Sequence, residues 1–267
     1  MDEQLKQKIK EFVKTAIRNF FHKKENQEIK TSNILDALFP KERRIRSLIG
    51  GLETRMGIVW EAIAKILAQS NGFEICSEKI LMPSPFPETI KKELDNLINL
   101  RETGHFISTN ECINTIRESV RISELNCELN DLSFVKPPSG HGVDIYLRKQ
   151  GHDYIFDLKS PSSNQGDFKR FNQQLLKWYT YKLIQNPNLL LEARIAFVFN
   201  PFEKDWYEQQ KSKIATCLDK DEDILVENEF WDFCSGQTNT WQILEELFRE
   251  LKQEGFNEEF EDIFNSN

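Results

Sequence analysis

Apolar positions near the start of the chain recur at helical spacing. Leu5, Ile9, Phe12, Val13, Ile17, Phe20 and Phe21 make residues 3–22 an amphipathic helix. A basic run (Lys41, Arg43, Arg44, Arg46) and Gly50-Gly51 precede a second helix over 53–69. Its stripe is Met56, Val59, Trp60, Ile63, Ile66 and Leu67, and Gly72 is its stop signal. Pro83, Pro85 and Pro87 mark a loop, a short helix is expected over 88–100, and another near 110–118. After the turn Pro137-Pro138-Ser139-Gly140 the period changes to two. Residues 143–148 alternate apolar and polar, 153–159 are rich in strand formers, and Lys149-Gln150-Gly151-His152 turns between them, so the pair reads as a β-hairpin. A loop over 160–166 leads into a long helix, 167–185, with Phe168, Phe171, Leu175, Tyr179 and Leu183 inward. Ala193–Phe199 is a short strand, and an acidic helix is expected near 240–252. No Pro/Gly-rich linker is long enough to separate independent domains. The expectation is one α/β domain over 1–267, with an N-terminal helical part (1–50), a core (53–200) and an acidic C-terminal helical part (201–267).

Composition narrows the class. Of 267 residues, 39% are apolar and 29% charged, enough to bury a core and too apolar for a disordered chain. No run approaches the ~20 apolar residues of a membrane span, and the first residues lack a signal peptide's apolar core. Five scattered Cys form no Cys-x-x-Cys pair, which argues against a disulfide scaffold or structural zinc and for a soluble protein of the reducing cytoplasm. The net charge of −8 speaks against a nucleic-acid partner until its distribution is considered. Residues 219–267 hold 15 acidic and three basic residues, leaving 32 basic against 28 acidic in 1–218. A basic centre with an acidic C-terminal region suits a polyanion bound at one place, and equally an ordinary mixed surface. No Gly-rich phosphate loop supports NTP hydrolysis.

The candidate chemistry lies on the hairpin. Acid-x-Lys occurs four times (Glu28-Ile29-Lys30, Asp157-Leu158-Lys159, Asp167-Phe168-Lys169, Glu250-Leu251-Lys252), so the triplet alone means nothing. Only the second lies in an expected inner strand with an acid on its partner. A two-residue loop at Gln150-Gly151, or a symmetric four-residue loop over 149–152, sets Asp144 opposite Asp157 with Cβ atoms roughly 5 Å apart. Lys159 shares their face, and Tyr154, Phe156 and Leu158 take the other. Facing like charges destabilise a ladder, and a hard divalent cation such as Mg²⁺ would offset them. A register slip, or an exposed hairpin on which Lys159 screens both acids, is the alternative.

An Asp on one strand, acid-x-Lys on the next, and a helix before and after resemble the PD-(D/E)xK nuclease superfamily. That resemblance implies a restriction-endonuclease-like mixed β-sheet flanked by helices, an α-β-β-β-α-β core, here with an N-terminal helical elaboration. Val143 stands where the superfamily usually has Pro. Gly57-Ile58-Val59-Trp60-Glu61-Ala62-Ile63-Ala64 matches the superfamily's G-x-x-x-E-x-x-A helix, so Glu61 is either a further catalytic acid or the partner of Lys65 in a surface i,i+4 pair. Gly142–Leu147, Asp157–Pro161 and Phe171–Tyr179 are most similar to type II restriction endonucleases of the TdeIII kind, over about residues 53–200. The resemblance implies Mg²⁺-dependent cleavage of double-stranded DNA at a site of the GGNCC type, leaving 5′-phosphate and 3′-hydroxyl ends. Asp144 and Asp157, with the Leu158 carbonyl, would hold the metal, and Lys159 would act on the attacking water and the phosphate. A homodimer cutting both strands and a cognate DNA methyltransferase in the same host are implied partners.

Lys169, Gln173 and Lys177 lie at i, i+4 and i+8 on the helix after the hairpin, where they either meet DNA or form a solvated face. His141, between Gly140 and Gly142, is a DNA contact or an ordinary turn residue. Arg43, Arg44 and Arg46 are phosphate contacts or solubilising charges. Two other functions stay open: a repair or junction-resolving nuclease with the same metal site, and a catalytically inactive DNA-binding module.

Overall fold

The computed structural model describes residues 1–25, 38–105, 107–138, 140–161 and 163–265. Glu28-Ile29-Lys30 lies outside them, as do Ser139 and Ser162 of the expected turn and loop. The chain begins with α1 (Glu3–Glu25) and α2 (Pro40–Ser70), followed by the short strands β1 (Glu74–Ile75) and β2 (Met82–Ser84). Helices α3 (Glu88–Glu102) and α4 (Thr109–Leu125) precede β3 (Ser133–Val135), β4 (Ile145–Lys149) and β5 (His152–Lys159). Then come α5 (Gln165–Gln185), β6 (Leu190–Phe197), α6 (Trp206–Ile214), β7 (Ile224–Val226), α7 (Asn228–Ser235), α8 (Thr240–Gln253) and α9 (Glu261–Asn265). Contacts divide the chain into two compact units, Met1–Leu67 with Trp231–Asn267, and Ala68–Phe230.

The first unit is helical. Trp60 packs against Trp231, Trp241 and Phe248 at 5.9, 5.8 and 5.6 Å between ring centroids, and Phe21 stacks on Phe260 at 4.4 Å. The acidic C-terminal region finds partners here. Lys10, Lys14 and Arg18, spaced four apart on α1, pair with Glu250 (3.0 Å), Glu254 (2.9 Å) and Glu259 (2.6 Å). The second helix starts at Pro40, not at residue 53, so Arg43, Arg44 and Arg46 lie on its first turns. Proline is favoured at a helix's first position because its missing N–H has no intrahelical partner there. Gly50-Gly51 does not break the helix. A Cβ on Gly51 would meet the Phe20 ring at 3.2 Å, so this glycine lets α1 approach.

The second unit carries a five-stranded mixed sheet in the order β1-β4-β5-β6-β7, flanked by helices, and a separate β2-β3 pair. Pairing is antiparallel from β1 to β5 and parallel from β5 to β7. Gln150 and Gly151 both have positive φ, +53° and +77°, which a two-residue hairpin turn requires at both positions. The turn sets the ladder from Lys149↔His152 to Ile145↔Phe156, the register expected from the loop. Tyr146 and Ile155 share one sheet face with Ala193, Ile195 and Phe197 of β6, in the core that α3, α4 and α5 cover. Arg101 of α3 and Asp223 before β7 form an ion pair, 3% and 0% exposed, joined by the Thr109 hydroxyl, which donates to Asp223 at 2.5 Å.

Candidate active site

Asp144 precedes β4 by one residue and extends its ladder, donating its N–H to the Phe156 carbonyl at 3.1 Å. One Asp144 carboxylate oxygen accepts the Leu158 N–H at 2.8 Å. Asp157 lies on the same face of β5 and is 4% exposed, whereas Asp144 is half-buried. Lys159, at the end of β5, brings its Nζ to 2.7 Å from Asp157 Oδ2. Burial and the Asp144 carboxyl push Asp157 up to about 7, with Lys159 pulling the other way. Within a strand, the N–H and C=O of one residue point to the same neighbour, so the Leu158 carbonyl also faces the Asp144 side.

Among the described residues no three His, Cys, Asp or Glu side chains gather into a metal cage. The donors that do converge are two carboxylates and a backbone carbonyl. Hard oxygens with positions left for water and phosphate fit a Mg²⁺-like cation, which keeps part of its hydration.

A sixth group belongs to this cluster and was not apparent from the sequence. Gln174 of α5 donates to Asp157 Oδ2 at 3.2 Å and to the Gly142 carbonyl at 3.4 Å. One turn on, Trp178 Nε1 donates to the His141 carbonyl at 3.0 Å. Two α5 side chains therefore hold the loop that delivers Asp144. The available signal was position: Gln174 lies between Phe171 and Trp178 on the buried side of α5, where a glutamine needs a partner.

The remaining candidates are spread out. Lys169, Gln173 and Lys177 share one half-buried face of α5, but the Gln173 amide is committed to Glu102 of α3 at 2.8 Å. His141 is half-buried, and its N–H donates to the Pro138 carbonyl at 3.2 Å. Arg43 and Arg44 are half-buried and Arg46 is exposed, on α2 of the first unit. Glu61, also in that unit, has Lys65 Nζ at 3.5 Å, the i,i+4 pair that was the alternative to a catalytic role. The other acid-x-Lys triplets within the described residues have structural uses. Asp167 closes the capping box of α5, accepting from Asn164 N at 2.7 Å and donating to Asn164 Oδ1 at 3.1 Å, and Glu250 pairs with Lys10.

Comparison with known proteins shows the family. The HinfI type II restriction endonuclease family matches residues 1–252, a longer stretch than the 53–200 of the motif resemblance. The type II restriction enzyme MjaII of Methanocaldococcus jannaschii is 24% identical over 224 residues, which are 80% of this chain and 56% of that protein. The type II restriction enzyme HgiCII of Herpetosiphon aurantiacus is 24% identical over 211 residues, 78% and 72% of the two chains. HgiEI, from the same organism, is 28% identical over 110 residues, 41% of this chain and 39% of its own. The chain thus spans little more than half the length of MjaII. With a sheet that joins an Asp to an acid-x-Lys strand, and a family match over nearly its whole length, the chain belongs to the HinfI family of type II restriction endonucleases.

Proposed function

We propose that this protein hydrolyses double-stranded DNA at a specific site, with Mg²⁺ held by Asp144, Asp157 and the Leu158 carbonyl. The observation that carries this is the buried Asp157 carboxylate, 2.7 Å from Lys159 Nζ and on one strand face with the half-buried Asp144, in a chain of this family. Type II restriction endonucleases generally use divalent metal ions. When bound, such a cation neutralises charge on the phosphate and polarises it toward attack. Gln174 and the Leu158 N–H fix the two carboxylates, so little reorganisation is left for the moment of reaction. Lys159, turned from Asp157 toward substrate, orients the attacking water and donates to the phosphate oxygen on which charge grows. Water oxygen bonds to phosphorus, the 3′-oxygen leaves and takes a proton, and the ends are 5′-phosphate and 3′-hydroxyl.

The motif resemblance supports a palindrome of the GGNCC type as the site. Two antiparallel strands and one such metal site per chain call for a homodimer whose two-fold axis matches the palindrome's. A methyltransferase acting on the same sequence would protect the host's own DNA. Glu61 enters as a further catalytic acid on the resemblance of residues 57–64 alone. Lys169, Lys177, His141, Arg43, Arg44 and Arg46 are assigned to DNA contact, and Gln173 can join them only by leaving Glu102.

Digestion of plasmid DNA with Mg²⁺, followed by mapping of the ends, tests the proposal. Discrete fragments with 5′-phosphates are expected. A smear would mean a nonspecific nuclease, and intact DNA an inactive binding module.

A further inference from the structure

Beside the carboxylates, the second unit holds a cavity of about 410 Å³ between α3, α5 and the loop before β4. Its size falls in the range of small-molecule sites, about 300–1,000 Å³. Met82, Leu94 and the rings of Phe86 and Tyr181 supply apolar walls, the two rings meeting edge to face at 6.0 Å. Lys91 and Asp95 of α3, Lys177 of α5 and His141 stand around it. Among the described residues Lys91, Lys177 and Asp95 have no ion-pair partner, while Glu88, also at the cavity, has Lys92 at 3.9 Å.

Position ties the cavity to the chemistry. His141 adjoins Gly142, whose carbonyl accepts from Gln174, and Gln174 holds Asp157. Lys177 and Tyr181 follow Gln174 by about one and two turns of the same helix. The cavity and the carboxylates thus share α5 and the loop before β4.

The lining decides what enters. A phosphate site gathers cations or backbone N–H groups, whereas here Lys91 and Lys177 share the cavity with the carboxylates of Asp95 and of Glu88, which has Lys92 beside it. An apolar wall that includes aromatic rings, with both donors and acceptors at its edge, matches a nucleobase. Its flat faces are apolar and its edge carries both kinds of hydrogen-bonding group. We propose that this cavity receives one nucleobase turned out of the duplex beside the cleaved phosphate, an assignment that rests on the nuclease reading above. The base packs against Tyr181 and Phe86, Asp95 accepts from an exocyclic amino group, and Lys91 or Lys177 donates to a carbonyl or ring nitrogen. Such a pocket adds discrimination at one base pair beyond what groove contacts supply.

The experiment uses the full-length protein and short duplexes carrying the mapped cleavage site. 2-Aminopurine replaces each purine in turn and pyrrolocytosine each pyrimidine, with Ca²⁺ present to permit binding without turnover. One position is expected to brighten severalfold on binding, as an unstacked base does. That signal should fall to background in Met82→Trp, which fills the cavity from a half-buried position, and weaken in Asp95→Ala, a change at an exposed side chain that leaves the core untouched. A duplex that is bound, and cut once Mg²⁺ is added, yet stays dark at every position overturns the pocket while the nuclease stands. Brightening unaffected by either variant also overturns it, because the base then lies elsewhere. No binding and no cutting of any duplex defeats the nuclease reading itself, and the pocket with it.

Discussion

Replacing Gln174 with Ala separates holding the metal ligands from doing chemistry. The substitution removes the donor at 3.2 Å from Asp157 Oδ2 and the longer contact, 3.4 Å, to the Gly142 carbonyl. The second is near the limit of a hydrogen bond and contributes little. The first involves a carboxylate, and hydrogen bonds to charged groups are worth about 1.5–3 kcal/mol. At 1.4 kcal/mol per tenfold, that is roughly 10- to 150-fold in an equilibrium constant. Loss of an outer partner from a metal-ligating side chain costs about 10–100-fold in metal affinity, in agreement. The assay is initial cleavage rate against Mg²⁺ concentration at saturating DNA, with the fold checked by thermal melting. The half-saturating Mg²⁺ concentration should rise about 10–100-fold, while the rate at saturating Mg²⁺ stays within a few-fold of the parent. Gln174→Glu should be worse than Ala, because it sets a third carboxylate against Asp157. An unchanged Mg²⁺ requirement, or a fall in the saturated rate alone, would refute the idea that Gln174 works by holding Asp157.

Further outcomes follow from the same geometry. Asp157→Asn should abolish cleavage and Lys159→Ala reduce it by about 10²–10⁴-fold with DNA binding retained, whereas Asp167→Ala should cut normally and lose only about 1 kcal/mol through its cap, measured by gel assay and denaturant melts. Because burial and Asp144 raise Asp157 from 3.8 to about 7, divalent-cation binding at pH 6 should release close to one proton and at pH 8.5 almost none, read by calorimetry in buffers of different ionisation enthalpy. Between 3.8 and about 7 the folded metal-free protein keeps a proton that the unfolded chain has lost, so its stability should fall as the pH rises through that window. Asp223→Ala, which strands the buried Arg101, should cost about 3–5 kcal/mol in urea denaturation, and a loss under 1 kcal/mol would show the pair to be unimportant.

Residues near in the chain made much of this protein legible from its sequence. Gln150-Gly151 accepts the positive φ values of a two-residue turn, and that choice propagates through the ladder to set Asp144 and Asp157 on one face with Lys159. The spacing of Phe168, Phe171, Leu175, Tyr179 and Leu183 made the helix after the hairpin visible before any packing was known, although the Asn164–Asp167 capping box starts it two residues earlier than expected, at Gln165. Where distant residues decide, the sequence was silent or misleading. The helix was expected to start only after Gly50-Gly51, yet α2 runs through them, and Gly51 leaves room for the Phe20 ring of another helix. The three-residue strand β7 has no period to read, and it is held by pairing with β6 and by Asp223 reaching Arg101, 122 residues away. The raised Asp157 and its grip by Gln174 exist only once α5 closes over the sheet. Spacing along a chain fixes which side chains share a face, whereas burial and charge depend on what folds over that face.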